Sequence, residues 1–193
     1  MTSPNSTRSR RLGRATLTFV AFPVGGSLAH LLAGRIDSPA AALVGGLLAG
    51  AAIGAGQALG SSGRLPLVRW TVGSSLGLAA GLTAGAALVD YDTSLRALAA
   101  MGAVSGAGVG AGQALAWGAR VSRRTRGAWS ALVPALWALG WTITTAIGVD
   151  VDLQWAVFGS AGAVVASAGL AAALETAAPA RAGGAPVRTE VAA

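Results

Sequence analysis

Residues 15–34 and 40–60 contain no Asp, Glu, Lys or Arg. About 20 apolar residues, rising about 1.5 Å each, carry a helix across the roughly 30 Å hydrocarbon layer of a bilayer. Four further runs have similar length, giving six spans near 15–34, 39–60, 70–89, 95–117, 129–149 and 153–174. Each run is continuously apolar rather than alternating, and about twice the length of a barrel strand, so helices are expected. Composition agrees: of 193 residues, 53% are apolar and only 11% charged, against about 25% charged in soluble domains. The expected fold class is all-α, a polytopic membrane protein. Its transmembrane domain covers 14–175, between irregular tails at 1–13 and 176–193 that lie in the cytoplasm.

The net charge of +7 comes from 14 basic residues, all of them arginine. In a soluble protein that excess would suggest nucleic acid. Here the arginines fall between apolar runs and set membrane orientation instead, so no nucleic-acid partner is expected. Twelve of the fourteen lie in one set of connections and tails: Arg8, Arg10, Arg11, Arg14, Arg64, Arg69, Arg120, Arg123, Arg124, Arg126, Arg181 and Arg188. The other set holds Arg35 and Arg96 with five of the seven acids: Asp37, Asp90, Asp92, Asp150 and Asp152. The positive-inside rule puts both termini in the cytoplasm, and an even number of spans preserves the alternation. Basic residues ahead of the first run also fit a secretory signal, with Ser9-Arg10-Arg11 faintly like a twin-arginine sequence. No clear small-residue cleavage pattern follows, and the first helix is expected to stay. Trp70, Trp117 and Trp129 at arginine-rich helix ends, with Tyr91 and Trp155 at the opposite ends, fit an interfacial aromatic belt. Trp137 and Trp141 do not. They sit four apart inside the fifth span and share a face toward lipid or a neighbouring helix.

At an offset of 56 the chain matches itself. Gly46, Gly50, Gly54, Gly56, Gln57, Ala58 and Leu59 fall on Gly102, Gly106, Gly110, Gly112, Gln113, Ala114 and Leu115. A weaker third copy reads Gly159, Ala163, Ser167 and Gly169, with Leu170 in the glutamine's place. Aspartates recur in the outer connections, so the unit is a hairpin used three times in one orientation, which predicts a pseudo-threefold six-helix bundle. The glycines have a packing role. Lipid provides little hydrophobic drive between helices, and small residues let backbones approach. Gly46, Gly50 and Gly54 lie within about 80° of one helix face, as do Gly102, Gly106 and Gly110. The third span adds Gly73, Gly77, Gly81 and Gly85.

Polar candidates inside the membrane are few. Gln57 and Gln113 lie on the glycine faces near the cytoplasmic end. They either bond to neighbouring helices and fix register, or line a narrow polar path. An amide carries no proton, which excludes a relay. His30, near the outer end of the first span, is the one side chain there that titrates near neutrality, and it is read as a packing residue or a coupling group. No Asp, Glu or Arg falls mid-span, which disfavours ion-coupled export. The outer aspartates attract cations or, with Ser38 and Ser94 beside them, cap helices. The chain has no cysteine and one histidine, so no metal site, cofactor or catalytic residue is expected. Ser62 and His30 lie at opposite faces, and no nucleotide loop or zinc-protease motif occurs.

The pattern Gly50-x3-Gly54-x2-Gln57, the basic loop with Arg64 and Arg69, then Trp70 and a glycine-striped helix, resembles small six-helix bacterial inner-membrane proteins over about residues 40–170. Ala58 and Ala114 stand where those proteins often carry tryptophan. The resemblance implies a multi-pass protein of the cytoplasmic membrane and no particular activity. The expected role is a non-enzymatic scaffold or assembly subunit, partnered by the lipid bilayer and by other membrane proteins or its own copies. The alternative is a small channel or transporter with a path lined by Gln57 and Gln113.

Overall fold

In the computed structural model the structure describes residues 4–149 and 154–176, with side chains for 15–149 and 162–174. Six helices account for nearly all of them: α1 Pro4–Ala33, α2 Pro39–Gly60, α3 Leu67–Leu88, α4 Leu95–Trp117, α5 Arg123–Ala146 and α6 Gln154–Thr176. A single 3-10 turn, Gly118–Arg120, joins α4 to α5, and no strand occurs among the described residues. Among the described residues, four segments are long and apolar enough to cross a membrane: Ala15–Ala33, Pro39–Gly60, Leu67–Leu88 and Leu95–Arg120. The part of α6 with described side chains, Gly162–Leu174, is apolar, and α5 begins with Arg123, Arg124 and Arg126.

Local chemistry sets the ends. Ser38, Ser94 and Ser122 cap α2, α4 and α5, accepting from the backbone N–H of Ala41, Ala97 and Thr125 at 3.3, 3.3 and 3.1 Å. Each satisfies one of the donors that a helix start leaves free. Pro39 follows its cap at the first helical position, where a missing N–H costs nothing. Gly34 ends α1 with φ +76°, its N–H bonded to the His30 carbonyl at 3.0 Å.

Two boundaries differ from the sequence reading. Residues 4–13, expected as an irregular tail, continue α1. Propagating an existing helix is easier than nucleating one, and Pro4 is tolerated in its first turn. The fifth helix starts at Arg123 rather than near 129, because the Ser122 cap draws the basic residues into its first turns. The expected tail beyond Thr176 and the acidic pair Asp150 and Asp152 lie outside the described residues.

The helices form a closed ring. Each packs on its neighbours in the chain, and α6 returns to α1. Arg64, in the α2–α3 connection, donates from Nη1 to the Leu174 carbonyl at 3.3 Å. The end of α6 is thereby at the same end of the ring as the end of α2, and the hairpins run in one sense. We call this the arginine end, and the opposite one the aspartate end.

Glycine faces make the seams. A methyl group added at Gly46, Gly50 or Gly54 would lie 2.6–2.8 Å from Ala79, Ser74 or both the chain and side chain around it on α3. Gly102, Gly106 and Gly110 meet α5 in the same manner, against Trp137 and Trp141, Pro134 and Val133, and Val133 and Ser130. Thr71, Ser74 and Leu78 on α3 thus match Ser130, Val133 and Trp137 on α5. Between α3 and α4 both sides are small: Gly73 faces Gly112, Gly77 faces Gly108, Gly81 faces Ser105 and Gly85 faces Met101. Gly108 and Gly112 lie about 200° round α4 from Gly106 and Gly110, so α4 has two close-contact faces. Ser75 Oγ adds a bond to the Leu47 carbonyl across the α2–α3 seam at 2.8 Å.

Candidate functional site

The aligned glutamines converge at the arginine end. Gln57 closes α2 and Gln113 closes α4; both are buried, and they bond directly across the ring interior. The Gln113 Nε2 group donates to Gln57 Oε1 at 2.9 Å and to Ser74 Oγ at 2.9 Å. Each carbonyl also receives an indole. Trp70 Nε1 donates to Gln57 Oε1 at 2.9 Å, and Trp129 Nε1 to Gln113 Oε1 at 2.9 Å. The relation repeats: a glutamine in the last two turns of one helix accepts from a tryptophan in the first two turns of the next.

Trp70, Trp117 and Trp129 stack into one aromatic cluster, with ring centroids 5.1, 5.8 and 6.5 Å apart. Their exposures are 0, 1 and 4%. The interfacial belt expected of these three is therefore replaced by an inward plug. At the headgroup layer an indole pairs its N–H with water or headgroups; here buried amide oxygens accept those of Trp70 and Trp129 instead. Trp137 and Trp141 also face inward. Trp141 packs on Gly102, and Trp137 reaches Phe22 of α1 with ring centroids 6.4 Å apart.

No group in this network titrates near neutrality, and none is a nucleophile beside a base. Both polar atoms of Gln113, the Gln57 oxygen and the two indole N–H groups bond within the network, so the cluster is a lock joining α2, α3, α4 and α5. Leu170, aligned with the glutamines, is buried at 2% exposure, and the amide network does not extend to it. His30 is exposed near the aspartate end, far from both glutamines; the structure does not bring it together with them. Ser62 sits in the α2–α3 turn with φ +63°, at the other end from His30. Among the described residues no three His, Cys, Asp or Glu side chains cluster as metal ligands.

Two cavities lie above the lock. One of about 30 Å³ is lined by Phe22, Ile53, Leu78, Ser105, Trp137 and Trp141, among others, from five helices. The second, about 130 Å³, opens at the aspartate end over Leu98, Met101 and Trp141, with Arg35, Asp37, Tyr91 and Asp92 around its mouth. Hydrogen bonds from the Ser94 hydroxyl (2.7 Å) and N–H (3.0 Å) hold the Asp92 carboxyl below its usual pKa. Serine, not aspartate, provides the adjoining caps.

Sequence reasoning singled out the glutamines because they fall on glycine faces. It missed Trp70, Trp129 and Ser74 as their partners. The available signal was a tryptophan opening the helix after each glutamine. Comparison with protein-family models, curated proteins and solved structures finds no match.

Proposed function

We propose that this chain is a six-span protein of a bacterial cytoplasmic membrane, with both termini in the cytoplasm, acting as a non-catalytic scaffold or assembly subunit. The membrane assignment is supported by the outside of the ring, where Leu31, Val68, Leu88 and Leu115 are 70–78% exposed and suit lipid rather than water. The arginine asymmetry between the two ends supports the orientation. The observation that carries the non-catalytic role is the Gln57–Gln113 lock, whose bonds tie four helices together and favour one helix register. The glycine faces are consumed within the chain, so any partner meets the lipid-facing leucines and valines.

A second reading, a channel or transporter along the ring axis, is favoured by the cavity that opens at the aspartate end above the lock. Flux measurements in proteoliposomes separate the two. The scaffold reading expects no flux of potassium or small neutral solutes above empty liposomes. Flux that is altered by Gln57→Leu with Gln113→Leu would replace it with the second reading. A reporter enzyme fused after Ala193 should be active in the cytoplasm; activity on the far side refutes the orientation.

A further inference from the structure

The lock leaves the axial cavities unexplained. They are neighbours along the ring: Trp141 lines both, and Met101 in the outer cavity is one helical turn from Ser105 in the deeper one. Met101, Ser105, Val109 and Gln113 recur every four residues, so one face of α4 runs from the mouth to the lock. All four are buried. Ser105 lies about 15 Å along the helix from Leu95, near mid-membrane.

Two hydroxyls on this route lack any hydrogen-bond partner: Tyr91 Oη beside the mouth and Ser105 Oγ in the deeper cavity. Ser105 is 1% exposed. Hydroxyls in apolar helices usually return to the carbonyl one turn back. Thr83, Thr142 and Thr144 do so at 2.8–2.9 Å. Ser105 does not, and neither do Thr71, Thr145 and Ser167; Ser105 borders the deeper space of about 30 Å³, room for about one or two waters. That space is otherwise walled by Phe22, Ile53, Leu78 and Trp137, so water is held there only as a short file continuous with the outer cavity. Asp37 and Asp92 at the mouth outnumber Arg35 and favour a cation over an anion.

We propose that the ring axis is a hydrated blind well, open at the aspartate end, reaching Ser105 and sealed beyond it by Val109 and the glutamine–tryptophan lock. It admits water and small monovalent cations that keep part of their hydration. The well goes beyond the scaffold role, gives the pathway reading its entrance, and stands whether or not any flux is found.

Because the chain has no cysteine, single-cysteine variants report without background. Met101→Cys, Ser105→Cys, Ala49→Cys and Val109→Cys are placed in sealed vesicles of both orientations. Silver ion is added outside, then quenched, and surviving thiols are labelled with a maleimide in detergent. Ala49 lines the deeper cavity from α2 and covers the case in which Ser105→Cys misfolds. Silver at the aspartate end should abolish most labelling of Met101→Cys, Ser105→Cys and Ala49→Cys, and silver at the arginine end should abolish none of it. Val109→Cys should keep its labelling from both sides. Full labelling of Ser105→Cys and Ala49→Cys beside a blocked Met101→Cys means a dry interior and overturns the proposal. Equal block from both ends overturns the seal, and block of Val109→Cys from the aspartate end overturns Ser105 as the floor.

Discussion

Adding one methyl group to the glycine seams tests the packing directly. An alanine Cβ at position 50 would sit 2.6 Å from the Ser74 carbonyl oxygen and 2.7 Å from Ser75 Cα; at position 106 it would sit 2.8 Å from Pro134 Cα, Trp137 Cβ and the Val133 carbonyl oxygen. Ordinary contact begins near 3.4 Å, so each seam must open by about 0.6–0.8 Å. No flexible side-chain end is available to move aside. Separation along a rigid helix also loosens the turns at Gly46 and Gly54, and stretches the Ser75–Leu47 bond. Overpacking of this kind costs about 1–3 kcal/mol, set against a helix-propensity gain of up to about 1 kcal/mol for glycine to alanine. Gly127, in α5 with nothing within 4 Å of its added methyl, provides the control: Gly127→Ala should gain up to about 1 kcal/mol. The expected gap between either seam variant and this control is therefore about 2 kcal/mol. Unfolding in mixed micelles by increasing SDS, followed through tryptophan emission, measures it, since Trp70, Trp117 and Trp129 are buried in the fold. Gly50→Ala and Gly106→Ala as stable as Gly127→Ala would refute the close seams.

Gln113→Leu strands Trp129 Nε1 and removes the donor to Ser74 and Gln57, at about 1–3 kcal/mol for each group left unpaired. It should cost clearly more than the roughly 0.6 kcal/mol of an average interhelical bond in a membrane. Combining it with Gln57→Leu should cost less than the sum of the two, and strict additivity in the same SDS titration would dissolve the network. At the aspartate end, Asp92 has a lowered pKa through Ser94. Its contribution is therefore present above the unfolded carboxylate pKa and lost as pH falls through the lower, folded value. The Tm difference between the wild-type chain and Asp92→Asn should accordingly shrink on acidification; a difference that grows would reverse the sign of the linkage.

The helices were legible because six long apolar runs, charged only at Arg96, admit little else, and α2 and α4 have the bounds 39–60 and 95–117 that the sequence suggests. Gln57 and Gln113 stood out as polar atoms on glycine faces. The tryptophans were not legible as their partners. A tryptophan at a helix end satisfies both an interfacial preference and an inward hydrogen bond, and only the position of an amide on another helix decides between them. Gly108 and Gly112 hid for a related reason: they serve a second face of α4, whereas a single-stripe reading assigns one face per helix. Ser74 and Ser105 are small residues among small residues, and their hydroxyls matter only where the ring closes round them. The start of α1 at Pro4 rests on propagation from a long apolar helix, which local composition at residues 4–13 does not reveal.

Leu170 has a mechanical consequence. With an aliphatic side chain in the third aligned place, the amide crosslinks weld α2 through α5 into one block and stop there. α1 and α6 flank that block and touch each other, so separating them requires no glutamine bond to break. Under load, or during insertion of the last hairpin, this hoop should open at the seams of α6 before it opens within the welded block.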